Sequence, residues 1–290
     1  MRRTTEAFGR ALVLAAAMGA AGFAAPAAAA EPLRVCASQD NMPFSNAAQA
    51  GFENKLATLV TDELKRPLAY TWLPAAAAEV AALNAGECDL VMDVPHQLGA
   101  VETTHPYYWS GYVLISRSDR KLGLTSLKDH RLRDLRIGVA SVGGDPTYTP
   151  PAHVMAALGL GKNLVGFPID GGGDSVGLRK RLVDAVANGD VDLAAVWGPM
   201  AGYFVQRSPV KLTVTTIGDT DEFSARKTHF ELIALQYEMA MAVRPGNDRL
   251  RDAVDEVIAR KQPEIDAILR SYGVPLIEPT RLSENGEAAR

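Results

Sequence analysis

The sequence has few of the residues, and none of the motifs, from which metal and nucleotide sites are built. Its 290 residues include five histidines and two cysteines, and no two histidines stand at i, i+4 or in an H-x-H pair. No carboxylate string matches an EF-hand loop, no Walker A string occurs, and the glycines at 171–173 do not complete G-x-G-x-x-G. The sequence therefore predicts no metal ion and no nucleotide cofactor.

Clusters of basic residues are also missing. The chain has 30 lysines and arginines against 34 aspartates and glutamates, a formal net charge of −4. Removal of residues 1–30 takes away three arginines and one glutamate and brings the charge to −6. Binding to nucleic acid or to an anionic membrane starts from clustered positive charge. The sequence therefore gives little support to either partner.

Long apolar runs are absent except at the start of the chain. Arg2, Arg3 and Arg10 precede a segment in which 12 of the 20 residues from 11 to 30 are alanine, and small residues at 28–30 fit a signal-peptidase site before Glu31. The alternative is a membrane anchor, but alanine is barely apolar on insertion scales and glycines and a proline weaken a spanning helix. We expect residues 1–30 to be a cleaved signal peptide and the mature protein to be periplasmic, without stable membrane insertion.

The two cysteines, Cys36 and Cys88, both lie in the mature part. In an oxidising compartment an even pair predicts a disulfide, whereas two buried free thiols are the alternative. If the first and third strands are neighbours, as in a doubly wound sheet of order 2-1-3, the two Cα atoms fall within the roughly 7 Å that a disulfide allows.

Strands and amphipathic helices alternate along the chain, which is typical of a mostly parallel sheet covered by helices. Residues 82–90 (ALNAGECDL) are echoed by residues 185–193 (AVANGDVDL), and each copy reads as a helix end, a glycine and an Asp-Leu strand. The repeat predicts two similar lobes. We expect lobe one to comprise residues 31–117 and 234–290, and lobe two residues 118–233. The pattern near the end of the chain predicts two helices, with Pro263 opening the second.

Polar and aromatic residues that follow the strands are the candidate binding residues, because ligands of open α/β sheets lie beyond the carboxyl ends of the strands. The alternatives are ordinary polar loops and, for the aromatic residues near position 108, side chains that fill the sheet face. The candidates for a cleft between the lobes are Asp40, Asn41, Phe44, Asp93, Tyr107, Tyr108, Trp109, Ser141, Asp145, Tyr148, Asp170 and Trp197.

One string suggests catalysis and is rejected by its context. Residues 173–177 (GDSVG) match the G-x-S-x-G elbow of α/β-hydrolases. The elbow places its serine directly on the strand-to-helix turn, whereas a glycine-rich loop precedes Ser175 here, and His229 is the only downstream histidine. Ser175 as the cap of a helix explains the same residues. No enzyme activity is predicted.

The order of landmarks resembles the periplasmic solute-binding proteins of ABC importers. The landmarks are residues 33–44, 86–91, 104–113 and 241–246. The resemblance implies a two-lobed periplasmic binding protein-like II fold with two crossover strands, each lobe a mixed, mostly parallel sheet flanked by helices. Amino-acid-binding members carry an arginine in the segment that here reads PHQLGAV (95–101), and an aspartate where this chain has Trp197. Without those charge-assisted contacts an amino acid is an unfavourable ligand.

A narrower likeness rests on Cys36, the string NMPFSN (41–46), residues 84–90 with Cys88, and WGPMAGY (197–203). These resemble the J-type periplasmic proteins MxaJ and XoxJ, which are encoded with PQQ-dependent methanol dehydrogenases. The resemblance implies a non-enzymatic protein that assists activation or maturation of the dehydrogenase, with its cytochrome c as a further candidate partner. Residues 74–79 (PAAAAE) depart from the charged and aromatic segment expected there.

Two functional interpretations follow. In the first, the protein is an accessory protein that holds a protein segment or a bulky apolar group between its lobes. In the second, it is an ABC-importer receptor for an uncharged or aromatic small molecule.

Overall fold

The structure, a computed structural model, describes residues 30–141, 149–169, 175–217 and 235–277. The chain divides into Met1–Ala30 and Glu31–Arg290, at the position where signal cleavage is predicted. In the described ranges no helix has the length and apolar character needed to cross a bilayer.

The first part of the described chain builds a parallel sheet with helices against it. Strand β1 pairs in parallel with β4 on one side and with β5 on the other, which confirms the predicted 2-1-3 order. Its elements are β1 (Leu33–Ser38), β2 (Asp40–Asn41), β3 (Ser45–Asn46), α1 (Phe52–Leu64), β4 (Leu68–Leu73), α2 (Glu79–Ala85), β5 (Leu90–Pro95) and β6 (Glu102–Thr103).

A second group of strands repeats this arrangement, and one long strand belongs to both groups. Its elements are β7 (Tyr108–Arg117), β8 (Ile137–Ser141), α3 (Pro150–Met155), β9 (Leu164–Pro168), α4 (Ser175–Asn188), β10 (Leu193–Trp197), α5 (Gly198–Gln206) and β11 (Leu212–Thr216). The chain then returns to the first group with β12 (Gln236–Val243) and α6 (Asp248–Ser271). Strand β8 lies between β9 and β10, parallel to both. This is again the 2-1-3 order.

Strands β7 and β12 connect the two groups. Residues 108–111 of β7 pair with β12, whereas residues 112–117 pair with β10 and β11. Strand β12 then runs antiparallel to β5 and so joins the first group. The predicted fold class is thereby confirmed, while the lobe boundaries at 117/118 and 233/234 stay predictions.

The repeated segment forms the same turn twice. Gly86 and Gly189 each end a helix in the left-handed conformation, with φ of 80° and 82°. A residue with a side chain would be strained in this conformation. Asp89 and Asp192 follow at the same offset, and their backbone N–H groups donate to the carbonyl oxygens of Arg34 in β1 and of Arg136 immediately before β8. The predicted internal repeat is therefore confirmed.

Each repeated aspartate also accepts hydrogen bonds from the backbone N–H and the side chain of the same arginine. Asp89 accepts from the backbone N–H of Arg34 at 3.0 Å and from its guanidinium at 2.7 Å. Asp192 accepts from the backbone N–H of Arg136 at 2.8 Å and from its Nε at 3.2 Å. These arginines lie at the amino ends of the strands, opposite the predicted cleft, so the repeat is a structural feature and leaves the carboxyl ends free for ligands.

The disulfide joins β1 to the turn before β5. Cys36 and Cys88 are bonded, with Cα atoms 5.5 Å apart, and both are buried. Because β1 and β5 are neighbours, the two Cα atoms lie within the distance that the sequence analysis expected.

The predicted break at Pro263 is wrong, because α6 continues through it from Asp248 to Ser271. A proline inside a helix removes one hydrogen bond, which costs about 3 kcal/mol. Packing offsets this cost, since the buried residues on both sides of the proline belong to one core: Leu250, Val254, Val257, Ile258, Ile265 and Leu269.

Candidate functional site

A cavity of about 330 Å³ lies at the carboxyl ends of β1 and β5. Helices α1 and α2 contribute to its walls from the first strand group, and α4 contributes from the second. Its apolar lining comprises Phe44, Ala76, Val80, Val91, Val94, Pro95 and Leu98, and its polar lining comprises Asn41, Glu53, Glu79, Asp93 and Arg179.

Glu53 lines this cavity because α1 begins in close contact with the loop between β2 and β3. A Cβ on Gly51 would lie 1.9 Å from the carbonyl oxygen of Phe44, so glycine is needed at this approach. The backbone N–H of Glu53 donates to that same carbonyl at 2.9 Å, and Asn54 Oδ1 accepts from the N–H of Asn46 and of Gly51. The first turn of α1 is thus fixed, and Glu53 is only 5% exposed.

Glu79 and Asp93 come from two further elements. Glu79 is the first residue of α2 and is 6% exposed, while Asp93 lies in β5 and is partly buried. The Oε1 atom of Glu79 is buried and has no hydrogen-bond partner in the described part of the chain. Three carboxyl groups from α1, α2 and β5 therefore share one small cavity.

Two tyrosines orient Asp93. The Tyr108 hydroxyl donates to its carboxylate, at 3.0 Å from Oδ1 and 3.1 Å from Oδ2. The Tyr107 hydroxyl lies 2.8 Å from the Met92 carbonyl oxygen and 3.4 Å from Asp93 Oδ1. Both rings are buried in the core. The tyrosines predicted as cleft residues thus act on the site through their hydroxyl groups, while their rings fill the sheet face.

Burial and mutual repulsion make the carboxyl groups hard to ionise. Burial raises the pKa of Glu53 well above its usual range, and the charges of Glu79 and Asp93 raise it further. Burial, with the charge of Asp93, raises the pKa of Glu79 to about 8. Burial raises the pKa of Asp93 to about 7, although the hydrogen bonds from Tyr108 and Tyr107 act in the opposite direction.

Arg179 approaches the same cavity from α4. Its Nη1 is buried and unpartnered among the described residues. Burial lowers the pKa of this guanidinium, and the charge of Asp40 opposes that effect. One guanidinium nitrogen and one carboxylate oxygen, both buried and unpartnered among the described residues, leave this cavity with unused hydrogen-bonding capacity.

The remaining sequence candidates divide into three sets. Asn41 and Phe44 line the cavity with Asp93, and exposed Asp40 acts on Arg179 by its charge. Ser141 is buried at the end of β8. The residues Asp145, Tyr148 and Asp170 lie outside the described residues.

Trp109 belongs to a different cavity. It lines a space of about 520 Å³ together with α6 and residues 274–277, and its backbone carbonyl accepts from the N–H of Ile277 at 3.0 Å. Tyr107 and Tyr108, the hydrogen-bond partners of Asp93, also line this space, whereas Asp93 is not among the described residues that line it.

Trp197 packs where the two strand groups meet. Its indole lies edge-on to Tyr112 of β7 at 5.5 Å and to Tyr237 of β12 at 5.7 Å between ring centroids. It is half-buried at the carboxyl end of β10. An aromatic group thus occupies the position where related amino-acid-binding proteins are expected to carry an aspartate.

Sequence reasoning missed Glu53, Glu79 and Arg179, because all three lie inside helices and not in loops after strands. One signal was available for Glu53. It stands four residues before Ala57, next to the stripe of Phe52, Leu56 and Val60, and so falls on the buried face of α1. Within the described ranges, no group of three or more His, Cys, Asp or Glu residues is placed to hold a metal ion.

Comparisons with known proteins agree with this architecture. The chain matches the model of the bacterial extracellular solute-binding proteins, family 3, over residues 33–275. Protein MoxJ of Methylorubrum extorquens is 30% identical over 255 residues, which cover 84% of this chain and 81% of that protein. Protein MoxJ of Paracoccus denitrificans is 29% identical over 275 residues, covering 91% and 96%.

Two solved structures of J proteins are also similar to this chain in fold. MxaJ from Methlophaga aminisulfidivorans has a TM-score of 0.72 at 28% identity, covering 84% of this chain and 100% of that one. The periplasmic binding protein XoxJ from Methylobacterium extorquens has a TM-score of 0.65 at 31% identity, covering 85% and 99%. The chain therefore belongs to family 3 of the bacterial extracellular solute-binding proteins, and within it to the group of J proteins that includes MoxJ, MxaJ and XoxJ.

Proposed function

We propose that this protein is a periplasmic accessory protein of methanol oxidation that assists activation or maturation of a PQQ-dependent methanol dehydrogenase. It is not an enzyme in this account, and it holds a protein segment or a bulky apolar group between its two halves. The observation that carries the proposal is the likeness to MoxJ, MxaJ and XoxJ, which extends over more than four fifths of the chain.

The composition of the cavity supports a ligand other than a free amino acid. The wall after β5 is formed by Pro95 and Leu98, and no arginine occurs in residues 95–101. Trp197 adds an indole where the second zwitterion contact is expected. Arg179 does supply a guanidinium, but from α4 and beside buried carboxyl groups.

The apolar part of the lining supports binding of an apolar group. Phe44, Val80 and Leu98 border the cavity, and such surface contributes roughly 25 cal/mol per Å² of apolar area removed from water. An aliphatic or aromatic side chain of a partner is the kind of group that this wall fits.

Complex formation tests the proposal. The exported protein, mixed with its methanol dehydrogenase and the cytochrome c at micromolar concentration, is expected to co-elute with the dehydrogenase on size-exclusion chromatography. A Phe44→Ala variant should weaken the complex, whereas Val165→Ala, on the exposed face of β9, should leave it unchanged. Separate elution of all components would count against the proposal.

The second candidate function is a receptor for an uncharged or aromatic small molecule in an ABC importer. The observation that favours it is the size of the cavity, since about 330 Å³ is within the range of small-molecule sites. A saturable rise in melting temperature with such a ligand, but with no effect of the dehydrogenase, would favour this function.

Export with cleavage after Ala30 is part of the same proposal. The intact mass of the protein recovered from the periplasm should correspond to a chain that begins at Glu31. A mass that includes residues 1–30 would instead indicate a retained anchor.

A further inference from the structure

The 330 Å³ cavity has an unused hydrogen-bond acceptor at its acidic end. Glu79 is 94% buried, lines the cavity, and has an Oε1 atom without a hydrogen-bond partner among the described residues. A buried carboxyl oxygen without a partner costs about 1–3 kcal/mol, so a donor delivered into the cavity recovers that free energy. Carboxylates form their strongest hydrogen bonds with cationic groups that carry several N–H donors.

Once its carboxyl groups ionise, the cavity has more negative than positive side chains and favours a positive ligand. Among the described residues that line it, Arg179 carries the only positive charge and faces three carboxyl groups. The ionisable groups that face the cluster from the surrounding elements are Asp40 of β2, Glu53 of α1, Tyr70 of β4, Glu79 of α2, Asp93 of β5, Tyr107 and Tyr108 at the start of β7, and Arg179 of α4.

We propose that this cavity binds a single alkylammonium group, with the nitrogen donating to Glu79 and to Asp93 or Glu53 and the alkyl chain packed on Phe44, Val80 and Leu98. An ammonium has three donors on one atom, which suits a cavity that carboxyl groups line from α1, α2 and β5. The cavity volume is at the lower limit of small-molecule sites, so it fits one side chain or a small amine.

Binding of the cation is coupled to release of protons. Without ligand, burial raises the pKa of Glu79 to about 8 and that of Asp93 to about 7, so near neutral pH Glu79 is mostly protonated and Asp93 is about half protonated. An arriving ammonium stabilises the carboxylate form, and the carboxyl proton leaves to the buffer. The affinity therefore rises with pH from about 6 to about 8 and then levels off, in a range in which a primary amine of pKa about 10.4 stays charged.

The inference deepens the proposed function and rests on it in one respect, namely that the ammonium belongs to a lysine side chain of the bound polypeptide. A free amine presents the same chemical group. Titration with a free amine needs no dehydrogenase, so failure of the cation site and failure of the accessory role are distinguishable.

Calorimetric titration of the mature protein with n-butylammonium is the test, with n-butanol as the uncharged ligand of similar shape. We expect the ammonium to bind at least about 10-fold more tightly than the alcohol. Its affinity should rise about 10-fold or more from pH 6 to pH 8.5, with a net proton release measured in two buffers of different ionisation enthalpy. Equal binding of the two ligands would overturn the proposal.

Variants assign the effect to the cavity. Glu79→Gln should lower the n-butylammonium affinity about 10-fold or more, whereas Glu87→Gln, an exposed glutamate outside the cavity, should bind like the wild type. Arg179→Gln removes a competing positive charge and should tighten binding. Weaker binding to Arg179→Gln, or wild-type affinity in Glu79→Gln, would contradict the proposal.

Two peptides identify the source of the cation. A short peptide with one lysine is compared with the same peptide carrying norleucine. Tighter binding of the lysine peptide than of n-butylammonium indicates a polypeptide ligand, and equal affinities indicate a free amine. Lysine and norleucine peptides that bind equally would contradict an ammonium site.

Discussion

At the scale of single residues, the feature that determines the chemistry of the site is the burial of Glu53, Glu79 and Asp93 together. The sequence predicted Asp93 because it follows the apolar run of β5. Glu53 and Glu79 were not predicted, because no local pattern shows that α1 and α2 bring their first turns to the same strand end. Arg179 lies 86 residues beyond Asp93 in the chain, and only the tertiary structure brings the two together.

The buried carboxyl groups make stability depend on pH. The folded-state pKa of Glu79, about 8, lies above its unfolded value, so the native state binds more protons between pH 4.5 and 8 and stability falls as pH rises through this window. Glu79→Gln should remove part of this fall, on the order of 2 kcal/mol between pH 5 and 8.5. Thermal melts across this range measure the effect.

The control for this prediction is Glu87→Gln, in which the charge change lies at an exposed position. Its melting temperature should decline with pH like that of the wild type. Parallel pH curves for Glu79→Gln and the wild type would show that Glu79 ionises without penalty.

At the scale of elements, helix starts and turns decide where the side chains point. The sequence predicted the two glycine-ended turns at Gly86 and Gly189. It wrongly predicted a break at Pro263, because the gain from packing both ends of α6 on one core is not visible in a local pattern. Trp109 lies at the start of β7 and Trp197 at the end of β10, and their surroundings depend on α6 and on the crossing strands.

The tight start of α1 leads to a prediction for Gly51→Ala. Its new Cβ would lie 1.9 Å from the Phe44 carbonyl oxygen, so the helix start or the loop must shift, at a cost of about 1–3 kcal/mol. Glu53 would move with it, and binding in the cavity should weaken. Chemical denaturation measures the loss of unfolding free energy.

Gly161→Ala is the matched control, because a Cβ there meets nothing within 4 Å and its backbone is helical. We expect its stability to stay within about 1 kcal/mol of the wild type. Equal stability of the Gly51 and Gly161 variants would mean that α1 does not need the close approach to Phe44.

At the scale of the whole molecule, two similar strand groups share β7 and β12, and the cavity lies where α4 of one group meets β5 of the other. The alternation of strands and helices and the internal repeat predicted two similar strand groups, and the resemblance to the solute-binding proteins implied the crossover strands. The cavity lining was predicted only in part, because it depends on how the two groups are placed against each other.

The disulfide is expected to stabilise the molecule. It links Cys36 and Cys88 across 52 positions in sequence, and a closed loop of this size contributes about 2–4 kcal/mol. Reduction, or replacement of both cysteines by alanine, should lower the melting temperature by roughly 5–15 °C. An unchanged melting temperature under reducing conditions would show that strand pairing alone holds β1 to β5.

The accessory role in methanol oxidation is the central claim, and the activity of the partner enzyme tests it most directly. Methanol dehydrogenase prepared without this protein is assayed for methanol oxidation before and after addition of the exported protein in stoichiometric amount, with the Phe44→Ala variant in parallel. The account predicts that the dehydrogenase activity rises with the wild-type protein and rises less with the variant. Activity that stays the same at every ratio of the two proteins would contradict it.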